Sequence, residues 1–180
     1  MKLYFVVVGI ILLTCLIKLD AQTQPLERQS NGHYIRDSVI AIFQRAIFLN
    51  ENLKNSKGVV TRDSLQILSH VLERFNENFV DSARLNANNI LHKESDNVLF
   101  CTYLHYIVSY ENSADESIAW DIGELFIENP DIFFKIQCSI TEREKDIVRK
   151  QIKFGIHNWK YQINDRKAKI DIAEKKFEGF

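Results

Sequence analysis

Three carboxylates in the stretch SIAWDIGELFIENP, residues 117 to 130, stand at spacings of three and four: Asp121, Glu124 and Glu128. On a helix this spacing puts them in one row, with Trp120 beside the first and Gly123 leaving room for close approach. Paired carboxylates can pass protons, and with an aromatic platform they can hold a sugar or a cation. The same row is also what the solvent side of an amphipathic helix looks like, opposite Ile118, Ile122, Leu125 and Phe126. A second row, Tyr103, Tyr106 and Tyr110, carries side chains that suit ligand or partner contacts, or else pack with their hydroxyls satisfied. His105 sits within that segment as a candidate base or ligand, with a hydrogen-bonded core imidazole as the plainer reading.

Other reaction chemistry has no pattern to stand on. A zinc protease helix needs two imidazoles one turn apart, and a carboxylate-bridged iron pair needs Glu followed three residues later by His. The sequence has neither, nor a Gly-x-Ser-x-Gly nucleophile turn, nor a glycine loop that would cradle phosphate. The expectation is a protein without catalytic residues, metal or cofactor. A net charge of −1 and basic residues interleaved with acids also give no nucleic-acid footprint.

The compartment follows from the start of the chain. After Lys2, residues 3 to 17 (LYFVVVGIILLTCLI) are almost wholly apolar, yet as a helix they reach only about 22 Å against a hydrocarbon core of roughly 30 Å. A charged start, a short apolar block and a small residue, Ala21, after Lys18 and Asp20 fit an export signal cleaved near Ala21. A retained membrane anchor, or a lipid on Cys15, are the other readings of the same stretch. Membrane contact is expected through this segment alone. With Cys15 discarded, Cys101 and Cys138 remain, and in an oxidising space they are expected to form a disulfide, with two buried free thiols as the alternative.

Those residues need elements to hold them. Residues 22 to 33 are polar, contain Pro25 and Gly32, and read as a flexible leader. Beyond them the only proline is Pro130, and no turn dipeptide separates alternating apolar runs, so strand signals are missing. Helical signals recur. Ile35, Val39, Ile42, Ala46, Leu49 and Leu53 share a face, as do Leu65, Leu68, Leu72, Phe75 and Phe79. A weaker helix is predicted over 83–91, then 97–110, apolar nearly all round and therefore central. Reciprocal caps at Ser113 with Glu116 and at Thr141 with Glu144 open two more. The first ends at Pro130, followed by a short helix over 131–138. The second carries Val148, Ile152, Ile156, Trp159 and Ile163 on one face.

The sequence thus predicts an all-α, single-domain helical bundle of about six helices over 34–163, with a charged amphipathic segment over 164–180. Within it RDSVIAIFQRAIFLNENLKNS, residues 36 to 56, aligns without gaps at an offset of 26 with RDSLQILSHVLERFNENFVDS, residues 62 to 82. Two helices with like starts and like ends, joined by NSKGVV, predict an antiparallel pair, or the beginning of a short helical-repeat scaffold. Charge is uneven as well: residues 81–140 hold three basic and ten acidic side chains, residues 141–180 eleven basic and seven acidic. Such halves either attract each other across the bundle or present faces to a partner.

The functional expectation is an exported, periplasmic or secreted protein that contacts another protein through a helical face. The residues proposed for binding are Trp120, Asp121, Glu124, Glu128, Tyr103, Tyr106, Tyr110 and His105. The alternative is a small acid–base enzyme or ligand carrier built on Trp120, Asp121 and Glu124.

Overall fold

The computed structural model describes residues 32–111, 116–162 and 166–180. Among them are seven helices, six of them substantial, and no strand. In chain order they are α1 (Gly32–Ser56), α2 (residues 62–91), α3 (Asn97–Ser109), α4 (Ser117–Glu128), α5 (Asp131–Lys135), α6 (Glu142–Gln162) and α7 (Lys167–Phe177). The bundle of about six helices expected from the periodicity is the one observed. The expected export segment, the expected leader up to Asn31, Ser113 of the first expected cap and Ile163 lie outside the described residues.

Helix α2 joins two helices that periodicity had separated. Its buried apolar side chains are Leu72, Phe75, Val80, Ala83, Ala87 and Leu91, a helical stepping except for the five-residue stride from Phe75 to Val80. A π turn over Asn76–Val80 absorbs the extra residue between the α-helical parts Arg62–Phe75 and Asp81–Leu91. The Asn78 amide donates to the Arg74 carbonyl at 2.8 Å beside this turn. With no Gly or Pro there to break the chain, shifting the apolar stripe needs only this local widening.

Helix α3 is central, as its all-round apolar character predicts. Leu99, Phe100, Tyr103, Tyr106 and Ile107 are at most 1 % exposed, and Phe43 of α1 stacks on the rings of Tyr103 and Tyr106 at 5.2 and 4.9 Å. Phe43 draws the deepest stripe of α1 to Val39, Phe43, Ala46 and Asn50, leaving Ile35 about half exposed. Burying one such ring side chain contributes roughly 1.5–3 kcal/mol.

The start of α3 is fixed by Asp96. Its carboxylate accepts the Leu99 N–H at 2.9 Å, which satisfies a free helix-end donor, and also accepts a fork of N–H groups from Arg36 of α1. Burial acts to raise this carboxyl, but the Arg36 and Leu99 hydrogen bonds outweigh it and hold it below its ordinary value of 3.8. Its contribution to stability is therefore complete above that value and is lost as pH falls through the folded value. Asp96→Asn keeps a capping oxygen and removes the charge, with an expected cost of roughly 1–2 kcal/mol at neutral pH. Urea midpoints measured at neutral pH and near pH 3 should show a smaller acid-induced drop in the variant than in the wild type. Equal drops would take Asp96 out of the acid response.

Helices α4 and α6 make the tightest crossing. Built onto Gly155, a Cβ would stand 2.0 Å from the Ala119 carbonyl oxygen and 2.8 Å from the Gly123 Cα, so backbone meets backbone. Ile118, Ile122, Leu125 and Phe126 of α4 pack here with Val148, Ile152 and Ile156 of α6, all at most 4 % exposed. The predicted reciprocal cap opens α6: the Glu144 carboxylate accepts the Thr141 N–H at 2.6 Å, and the Thr141 hydroxyl accepts the Glu144 N–H at 3.3 Å. Those bonds from Thr141 hold the Glu144 carboxyl below its ordinary range.

Helix α5 ends at Lys135, shorter than predicted, and the chain runs without helix to Thr141. That segment carries Cys138, which is disulfide-bonded to Cys101 of α3. The charged segment at the end of the sequence forms α7, docked on α4 and α6 through Ile170 and Ala173. No described helix is long and apolar enough to cross a membrane.

Candidate functional site

The predicted acidic row lies on one face of α4 and is occupied by cations of this same chain. Asp121 pairs with the buried Arg84 of α2 at 2.9 Å, Glu124 with Arg166 at 2.7 Å, and Glu128 with Lys169 and, at 3.7 Å, with Arg166. Lys176 of α7 likewise holds Asp131, and Arg143 holds Glu111 at 3.1 Å. The acidic stretch and the basic stretch therefore meet inside the molecule. Trp120 packs edge-on against Trp159 at 5.3 Å, and the Trp159 indole N–H donates to the Trp120 carbonyl at 3.1 Å. Gly123 does leave room for close approach, and the group that approaches is Gly155.

The tyrosine row divides. Tyr103 is fully buried, its hydroxyl has no hydrogen-bond partner among the described residues, and burial pushes its pKa well above the usual value. Tyr106 is buried between Phe43 and Tyr110. Tyr110 reaches the end of the bundle, where its hydroxyl donates to the Asn76 side-chain oxygen at 2.8 Å. His105 stands apart from Trp120, Asp121 and Glu124, on the wall of a cleft that also holds Glu144.

A cleft of about 800 Å³ opens where α1, α2 and the end of α3 meet. Both copies of the repeated Asn-Glu-Asn contribute to it. Asn50, the first residue of one copy, donates its side-chain amide to the Ser109 carbonyl, which also accepts from Lys54 at 2.5 Å. Asn76, its counterpart at the offset of 26, holds Tyr110. The repeated asparagine thus holds the last turn of α3 from two sides: Asn50, with Lys54, donates to a helix-end carbonyl that lacks an intrahelical partner, and Asn76 accepts from the Tyr110 hydroxyl.

No protein-family model, no curated protein and no solved structure matches this chain. What the site can do is read from its own side chains. The α1 wall carries Lys54, with Lys57 just beyond the helix end, while the α2 wall carries Glu73, Glu77 and Asp81 over Leu53 and Leu72. A second cleft of about 580 Å³, the one holding His105, shares Lys54, Ser109, Glu111 and Arg143 with the first. Walls of opposite charge over a partly apolar floor suit a segment that carries both signs of charge. Among the described residues, no three His, Cys, Asp or Glu side chains are grouped so as to hold a metal ion.

Of these residues, sequence reasoning picked out only Tyr110 and His105. The signal for the rest was the repeat itself, whose matching Asn-Glu-Asn ends fall on the cleft.

Proposed function

We propose that this is an exported helical binding protein that contacts another protein through a helical face, and that the face is the cleft formed by α1, α2 and the end of α3. The observation that carries the proposal is the pair of oppositely charged walls, Lys54 and Lys57 facing Glu73 and Glu77, at a place where the repeated asparagines fix the geometry. The carboxylates of α4, the other candidate surface, already serve ion pairs within the chain. Export rests on the residue pattern of the first 21 positions, and a disulfide suits that destination.

The test is binding of an exported partner by the wild type and by two charge reversals, Lys54→Glu with Lys57→Glu and Glu73→Lys with Glu77→Lys. Each reversal is expected to weaken binding at least tenfold and to flatten its salt dependence, because opposed charges set recognition and encounter. Binding that is unaffected by both reversals and is lost on reversing Glu124 would move the contact back to α4.

A further inference from the structure

Helix α6 has a second face that the bundle does not use. From Ile147 to Tyr161 the chain has four basic residues and no carboxylate. The buried side of this run, Val148, Ile152, Gly155 and Ile156, faces the core. Its outer side presents Lys150, Lys153, Phe154, His157, Lys160 and Tyr161, all exposed and in step with the helical repeat. Phe154 is 41 % and Tyr161 76 % exposed. Lys160 is bound to Glu174 at 3.0 Å; Lys150 and Lys153 hold no carboxylate among the described residues. The groove beside them, about 640 Å³, has Ile156 and Phe177 in its lining and Glu174 and Glu178 on the α7 side.

We propose that this outer face of α6 docks on the surface of an anionic lipid bilayer, with its lysines on headgroup phosphates and Phe154 and Tyr161 at the edge of the acyl region. The stripe from Lys150 to Tyr161 runs about 16 Å along α6. The apolar face of α6 is in the core, so the contact is peripheral: exposed lysines supply attraction to anionic headgroups and the two exposed rings supply apolar contact at the acyl edge. Lysine stems lie along apolar surface while their ammonium groups reach the headgroups. A protein helix seated in the groove is a poorer fit. The Ile156 side of the groove is 4 % exposed and offers little apolar surface for such a helix to bury. This contact is separate from any attachment through residues 3–17, and it uses a different surface from the protein-binding cleft.

Sedimentation of the chain lacking residues 1–21 with vesicles tests it, using phosphatidylglycerol mixed with phosphatidylcholine against phosphatidylcholine alone. Binding to the anionic vesicles is expected at low salt and should fall as salt is raised. Lys150→Glu with Lys153→Glu should weaken it at least tenfold, since each basic residue near the surface contributes roughly fivefold. Phe154→Ala with Tyr161→Ala should weaken it severalfold, and Lys93→Glu, an exposed charge elsewhere, should change it by less than twofold. All these positions are exposed, so circular dichroism should show every variant folded. Equal binding to neutral vesicles, no binding to anionic ones, or an effect of Lys93→Glu as large as that of the double reversal would overturn the proposal. Retention on poly-glutamate with vesicles left unbound would overturn it too, and would mark the face as a protein contact.

Discussion

Gly155→Ala should lower the stability of the folded chain by at least about 3 kcal/mol, among the larger effects of adding one methyl group to a packed interior. The added carbon would sit 2.0 Å from the Ala119 carbonyl oxygen, and that oxygen belongs to helix backbone, so no side chain can swing away to make room. Relief requires α4 and α6 to separate, which loosens the contact between Ile118, Ile122, Val148 and Ile152 in the core. For a domain of this size the melting temperature should drop by roughly 6–12 °C. Two other glycines separate crowding from backbone conformation. Gly58 has φ +81° and nothing within 4 Å of a built Cβ, so Gly58→Ala should cost only about 1–2 kcal/mol, from the left-handed backbone. Gly179→Ala, whose nearest neighbour is at 3.6 Å, should be close to neutral. If Gly155→Ala melts with the wild type, the two helices do not cross backbone to backbone.

The second large effect is expected at the disulfide. Cys101 and Cys138 enclose a separation of 37 residues, which in the loop-entropy model restricts the unfolded chain by about 4 kcal/mol. The bridge also pins the non-helical stretch after α5 to the central helix. Replacing both cysteines by serine should cost roughly 2–4 kcal/mol, and adding reductant to the wild type should lower its urea midpoint to nearly the same place. The intact mass of the exported protein gives an independent reading. The proposed cleavage near Ala21 would remove Cys15, so a mass two hydrogens below the reduced value with no reactive thiol is expected. Two reactive thiols in the exported, folded protein would contradict the bridge.

Much of the fold could be read in the sequence because it depends on local periods and caps. The Thr141–Glu144 pair is a contact between residues three apart, and it forms as the motif implies. The apolar segment around Tyr103 is central because no side of it is polar enough to face water. What was not legible depends on residues far apart in the chain. Nothing near Asp121 shows that Arg84 will reach it, and nothing near Asp96 shows Arg36, since those pairs exist only once α2 has docked on α4 and α1 on the start of α3. The π turn hid for a related reason. Phe79 continues the simple stepping as well as Val80 resets it, and packing against α1 decides between them. At the candidate site the repeat was visible, but its meaning was not, because the two asparagines find a common target only when the end of α3 lies between them.

The proposed contact with a partner protein lies on the cleft and not on the acidic row of α4. Site-specific photocrosslinking is its most direct measurement, with a photoreactive residue placed in turn at Glu77 on the cleft wall and at Glu124 on α4, in the exported protein and under conditions where the partner binds. Adduct at Glu77 with little or none at Glu124 is the predicted result; the reverse pattern would contradict it.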